Sequence, residues 1–93
     1  MSIKDTLIEK LEKQTDYWEK QIERLQVQLE EKQAKAESER AAKELKAKTL
    51  EQINDLRERA ESAKEQLQEV RQSGEDRLKE VRGRIEDWIN RHS

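Results

Sequence analysis

The apolar residues of this chain recur at helical spacing in two long stretches. In residues 3–36 they are three or four positions apart, the heptad-like pattern of an amphipathic helix. In residues 45–89 they return every eleven positions, at Leu45, Leu56, Leu67, Leu78 and Ile89. Eleven residues make three turns of about 3.67 residues each, so this hendecad repeat keeps one stripe on one side of a nearly straight helix. The pattern predicts an all-α chain.

Two places could interrupt the helix. In residues 30–44 the stripe weakens to alanines, but the segment contains no Gly, Pro or Asn to turn the chain. Gly74 lies in the sequence QSGED, yet in the eleven-residue phase it occupies a stripe position. Ser2 can cap the start of the first helix, with Asp5 three residues later. We therefore expect one long amphipathic helix, and residues 1–93 are predicted to be a single coiled-coil domain.

The spacing of the two stretches is mirrored. From Leu7 to Leu29 the steps between stripe positions are four, three, four, four, three and four, and the same steps lead backwards from Ile85 to Ala63. Two antiparallel helices whose facing residue numbers sum to about 92 would match layer by layer. Trp18 would then meet Gly74, which gives the large-against-small layering that fills a core.

A parallel dimer would instead stack Trp18 on itself and leave a void at Gly74, which is unfavourable. We therefore expect an antiparallel coiled coil. The predicted self-association seam consists of Leu7, Leu11, Trp18, Ile22, Leu25, Leu29, Leu56, Ala63, Leu67, Val70, Gly74, Leu78, Val81, Ile85 and Trp88.

Three architectures are compatible with this seam. In the first, two continuous helices form an antiparallel homodimer. In the second, the chain folds into a helical hairpin around Lys43–Thr49, and hairpins associate into a bundle. In the third, breaks near Ser38 and Gly74 give a three-helix bundle. The continuous dimer is favoured because the segment KELKAKT contains no turn residue.

Composition narrows the class of protein. Charged residues make up 45% and hydrophobic residues 31%, with no Phe, Pro or Cys. Such a composition also occurs in disordered chains, but the net charge is only −2 and the apolar residues are periodic. The absence of cysteine excludes a disulfide framework and a thiolate metal site. No apolar run has the length of a signal peptide or membrane span, so a cytoplasmic location is expected.

The sequence contains few residues of the kinds that catalyse reactions or bind metal ions. His92 is the only histidine, and no phosphate-binding loop or nucleophile motif occurs. The carboxylates lie among basic residues on helix faces open to water, where they form ion pairs. We expect no catalytic residues, no cofactor and no metal, and hence no enzyme. Acidic and basic residues alternate near the C-terminus, so nucleic acid is not an expected partner either.

These observations favour a non-catalytic coiled coil that self-associates and serves as a protein-interaction scaffold, spacer or adaptor. Its partner would be a second copy or another, unidentified protein. An alternative comes from residues 45–89, whose eleven-residue period resembles that of exchangeable apolipoproteins and other lipid-surface helices. The resemblance is one of periodicity, and it implies binding to lipid or other hydrophobic surfaces. The narrow seam, its alanine layers and the balanced charge favour the coiled coil over a membrane helix.

Overall fold

The chain is all-α, as predicted. The structure, a computed structural model, describes residues 2–92. It contains three helices: α1 (Ile3–Ala34), α2 (Glu39–Gln72) and α3 (Glu75–His92). They form an elongated body of 58 × 19 × 18 Å. Within residues 2–92, none of the helices combines the length and apolar character needed to cross a bilayer.

Serine side chains set the beginnings of α1 and α2. The Ser2 hydroxyl accepts a hydrogen bond from the Asp5 backbone N–H at 3.1 Å, as the sequence predicts. The Ser38 hydroxyl accepts one from the Ala41 N–H at the same distance. Between the two helices the chain turns within residues 35–38. Each serine satisfies one of the backbone donors that a helix start leaves without a partner.

The predicted unbroken helix through residues 30–44 is therefore wrong, and so is a turn at Lys43–Thr49, which lies inside α2. The physical reason is the phase of the two stripes. Leu29 and Leu45 are sixteen residues apart, which at 3.6 residues per turn places them about 160° apart around a continuous helix. One straight helix would bury one stripe and expose the other. A turn between them brings both stripes into the same core.

Helices α1 and α2 pack closely and run in opposite directions. The Lys4 ammonium donates to the Arg71 carbonyl at 2.7 Å near one end, and the Gln33 amide approaches the Ala42 carbonyl at 3.5 Å near the other. Between these ends, Lys64 forms an ion pair with Glu19 at 3.0 Å. The numbers of these paired residues sum to between 75 and 83. Within one chain the predicted sum of 92 does not hold, because the chain turns earlier than a mirror about residue 46 requires.

A second break separates α2 from α3. Ser73 has an extended backbone, and its hydroxyl donates to the Glu69 carbonyl one turn earlier. The Gly74 carbonyl accepts the Leu78 N–H at 3.0 Å, the first bond of α3. Gly74 is exposed, and a Cβ built on it would meet nothing within 4 Å. Within this chain Trp18 does not contact Gly74, which serves as a helix start.

Helix α3 lies along the first half of α1 and runs parallel to it. Trp18 packs against Trp88 with ring centroids 5.5 Å apart and planes at 87°, an edge-to-face pair. The core occupies this three-helix half of the body. Its buried residues are Leu7, Leu11, Trp18, Ala60, Ala63, Val70, Leu78, Val81, Ile85 and Ile89.

Candidate interaction surface

Helix α3 covers only part of the α1–α2 pair. At 1.5 Å per residue, the 34 residues of α2 span about 51 Å and the 18 residues of α3 about 27 Å. Trp88, near the end of α3, lies against Trp18, which is halfway along α1. Beyond this point α1 and α2 continue as two helices without the third. This two-helix half ends at the turn of residues 35–38.

The uncovered half repeats the apolar pattern of the covered half. Eighteen residues make five full helical turns, so residues eighteen apart share one side of a helix. Leu25 and Leu29 therefore occupy the same side of α1 as Leu7 and Leu11. Leu7 and Leu11 are 1% and 0% exposed in the three-helix half, whereas Leu25 and Leu29 are only partly buried. The residue type is the same, so the difference in burial reflects the surroundings of the two halves, although Ile53 of α2 is buried in the two-helix half as well.

Helix α2 shows the same contrast. Ala63 is 0% exposed, and Leu45, eighteen residues earlier on the same side, is only partly buried although it is larger. We call the surface formed by Leu25, Leu29 and Leu45 the distal face. Its border includes Gln28 and Gln52, which are exposed amides. Lys32, seven residues after Leu25 and also exposed, adds a positive charge on the same side of α1.

The opposite side of the two-helix half carries isolated apolar residues. Val27 is 54% exposed and lies about 160° around α1 from Leu25. Leu50 is 41% exposed and lies about 140° around α2 from Leu45. Exposed apolar residues of this kind are normal on a protein surface.

Charged side chains of the two-helix half pair mainly along their own helices. Arg40 lies 3.4 Å from Glu44, and Arg59 lies 3.4 Å from Asp55, both at i,i+4 spacing. Such exposed pairs contribute about 0–1 kcal/mol each, so they neither hold the two helices together nor close the distal face. The apolar residues decide what this surface can bind.

The strongest charge cluster lies elsewhere, between α2 and α3. The Arg84 guanidinium donates to the Glu69 carboxylate, and Arg77 lies 3.8 Å from it. The hydrogen bond from Arg84 lowers the pKa of the Glu69 carboxyl below its usual value, against the smaller opposing effect of desolvation. This arrangement links α3 to α2 and accounts for the lowered pKa of Glu69.

His92 packs against Trp88 at the end of α3. Its Nδ1 lies 2.9 Å from the Trp88 carbonyl oxygen, and its ring packs against the Trp88 ring at 4.8 Å. Within residues 2–92 no three side chains of His, Asp or Glu are grouped so that they could hold a metal ion. The histidine thus packs on the end of α3 beside the tryptophan pair.

The structure places the predicted seam mostly inside one chain. Gly74 is the exposed member. The buried members are Leu7, Leu11, Trp18, Ala63, Val70, Leu78, Val81 and Ile85, and the partly buried ones are Ile22, Leu25, Leu29, Leu56, Leu67 and Trp88. Their use between chains remains a prediction.

The seam also omitted residues that pack in the core. Ile53 is 1% exposed, Ala60 is 4% exposed, and both lie on the side of α2 that also carries Leu56 and Ala63. The signal was present in the sequence, because 53, 56, 60 and 63 follow the three-and-four spacing of an ordinary amphipathic helix. Following the eleven-residue repeat alone obscures this denser pattern.

Comparison with protein-family models, with curated proteins and with solved structures gave no match to this chain.

Proposed function

We propose that this protein is a non-catalytic helical module that self-associates and acts as a protein-interaction scaffold, spacer or adaptor. The observation that carries the proposal is the distal face. Leu25, Leu29 and Leu45 repeat positions that are buried in the three-helix half, but they remain partly open to water. Covering such side chains with another helix is favourable by roughly 25 cal/mol per Å² of apolar surface. A further helical surface is thus the natural ligand of this protein.

The charged groups support a non-catalytic role. Catalysis usually depends on ionisable groups whose pKa values are shifted in a site protected from water. Here the pKa shifts of Glu69 and Arg84 follow from their contact with each other. Other carboxylates lie in exposed ion pairs, such as Glu9 with Lys13 at 3.0 Å. Such exposed charged side chains favour solubility and stabilise the helices.

We further propose that association is antiparallel, as an antiparallel coiled coil or bundle of helices, and takes place in the cytoplasm. Helices of opposite direction already pack well in this chain, since α1 and α2 do so along their length. Antiparallel pairing also sets the positive end of one helix dipole beside the negative end of the next. The location rests on the sequence alone.

Lipid binding is the second candidate function. Of the residues in the eleven-residue repeat, Leu78 and Ile89 are buried in the three-helix core. Helix α3 would have to leave the core to present them to a bilayer, which exposes other apolar residues to water. Flotation with liposomes, with and without anionic lipid, tests this alternative. Helical protein that floats with the vesicles would favour it over the scaffold.

Analytical ultracentrifugation tests the main proposal. Sedimentation equilibrium from low micromolar to near-millimolar concentration should show a helical protein in monomer–dimer equilibrium. A sedimenting mass that stays at that of one chain over the whole range would contradict self-association.

A further inference from the structure

We propose that two copies of this chain form a dimer by exchanging α3. The break at Ser73 and Gly74 straightens, α2 and α3 become one helix, and each α3 packs on the α1–α2 pair of the other copy. A dimer made by exchange of an identical element keeps the contacts of the monomer and needs no new surface. This inference rests on the proposed self-association and names the element that is exchanged.

The connection between α2 and α3 is short and can straighten. Only Ser73 and Gly74 separate the two helices, and neither has a positive φ. At the end of α2 the Arg71 carbonyl accepts a hydrogen bond from the Lys4 ammonium at 2.7 Å. In a straight helix the same carbonyl would accept the Glu75 N–H, four residues later. Straightening therefore replaces a side-chain hydrogen bond by a backbone one.

The side of α2 that faces α3 continues, in a straight helix, as the side of α3 that faces α2. Glu69 of α2 and Glu80 and Arg84 of α3 line one groove between these helices. Glu80 follows Glu69 by eleven residues, so both lie on one side of a straight helix. Arg84, which binds Glu69, lies about 60° from it around that helix. Two straight copies placed antiparallel can therefore face each other with this side and form the Arg84–Glu69 pair twice, each time between chains.

The side that faces α1 also continues without a change of phase. Arg71 of α2 forms an ion pair with Glu12 of α1 at 3.0 Å. Arg82 of α3, eleven residues after Arg71, lines a groove together with Leu7 and Lys10 of α1. Both arginines lie on one side of a straight helix. This side can thus contact the α1 of its own chain through Arg71 and the α1 of the other copy through Arg82.

The exchanged dimer buries the same core as the closed monomer. Trp18 is 2% exposed and Ile85 is 0% exposed in the closed chain. After exchange, Trp18 of each copy packs against Trp88 of the other in the same edge-to-face pair. The two forms therefore differ mainly at the break, and their ratio depends on protein concentration. Interconversion should be slow, because α3 must leave the core and expose its apolar residues to water on the way.

A chemical link between α1 and α3 distinguishes the two forms. The Lys10 ammonium lies 3.9 Å from the Glu86 carboxylate, and both side chains are partly exposed. The variant Lys10→Cys with Glu86→Cys is treated with a short bismaleimide after its dimer has been isolated by size exclusion at high concentration and diluted. The link should join two chains in the dimer and stay within one chain in the monomer, as read from the mass on a denaturing gel.

A matched pair between α1 and α2 is the control for this experiment. Glu19→Cys with Lys64→Cys should link within one chain in both forms, because the α1–α2 pair is not exchanged. An isolated dimer whose Lys10→Cys and Glu86→Cys link also stays within one chain would overturn the exchange and leave self-association standing. A chain that stays monomeric up to near-millimolar concentration would overturn both proposals.

Substitutions at the break should shift the dimer in opposite directions. Gly74→Ala favours a continuous helix at two breaks per dimer and should raise the association constant at least tenfold in sedimentation equilibrium. Glu75→Pro fits the first position of α3, but it lacks the N–H that a straight helix needs and should lower the constant at least tenfold. Glu75→Gln removes the same charge, keeps the N–H and should change the constant less than twofold. Equal dimerisation of the two Glu75 variants, at equal helicity by circular dichroism, would contradict straightening.

Discussion

The contact between Trp18 and Trp88 is the best single test of how the chain folds. Trp18 is 2% exposed, and the edge of one indole faces the other at a centroid distance of 5.5 Å. This contact exists because α3 returns along α1. In the antiparallel rod predicted from the sequence, residue 88 would face residue 4, about 21 Å along the helix from Trp18. The two tryptophans would then be energetically independent.

The expected coupling follows from the geometry. An edge-to-face aromatic pair contributes about 0.5–1.5 kcal/mol beyond its buried area. Trp18→Ala would lower the free energy of unfolding by about 3–5 kcal/mol, as truncation of other large buried side chains does. The total free energy of unfolding of a chain of this length is about 5–14 kcal/mol. Leucine is therefore the better replacement, since it keeps apolar volume and leaves a measurable folded state.

The assay is a double-mutant cycle. The free energy of unfolding is measured by urea titration with circular dichroism for the wild type, Trp18→Leu, Trp88→Leu and the double variant. We expect the double variant to lose about 0.5–1.5 kcal/mol less than the sum of the single losses. As a control, Trp88→Leu combined with Leu50→Ala should be additive within about 0.3–0.5 kcal/mol. Additivity of the tryptophan pair at the same level would refute the proposed position of α3.

Three further predictions concern helix ends and one ion pair. Because Gly74 begins α3 in open space, Gly74→Asn should stabilise the fold by a few tenths of a kcal/mol in urea titration, and Gly74→Ala should destabilise it. Ser38→Ala removes the cap of α2 and should cost about 1 kcal/mol, a fall in Tm of about 4–8 °C. Glu69 has a lowered pKa when folded, so its contribution to stability should be present above its unfolded pKa and disappear as pH falls through the folded value. Comparison with Glu69→Gln, whose stability should lack this acid-side loss, isolates the effect.

The helices themselves were predictable from the sequence. The three-and-four spacing from Leu7 to Leu29 and the leucine-rich repeat from Leu45 onward both fall within helices. Local rules sufficed here, because helix propensity, stripe spacing and the cap at Ser2 agree with each other.

The turn of residues 35–38 was harder to predict. Its residues are helix formers, and local composition therefore indicates a continuous helix. The decisive information is the relation between Leu29 and Leu45, which a straight helix would place on opposite sides. A turn is favoured only when burial of both leucine stripes in one core is considered. Periodicity read separately in each stretch cannot show it.

The break at Gly74 had a local signal, the glycine within QSGED, but the stripe spacing pointed the other way. Leu67 and Leu78 are eleven residues apart and would share one side of an unbroken helix, so the stripe passes through the break without a change of phase. The return of α3 depends instead on tertiary packing, in which Trp88 meets Trp18 and Ile85 becomes fully buried. The distal face could not be recognised from the sequence either, because it is defined by where α3 ends relative to α1.

The central claim is that each chain folds back on itself at residues 35–38, and the distance between Glu19 and Lys64 within one chain tests it most directly. Spin labels on Glu19→Cys and Lys64→Cys, diluted with excess unlabelled protein so that only the intrachain distance is recorded, can be measured by pulsed electron spin resonance. The ion pair at 3.0 Å predicts labels far closer to each other than one continuous helix would hold them. A distance near 68 Å, the separation of residues 45 apart on one continuous helix at about 1.5 Å per residue, would contradict it.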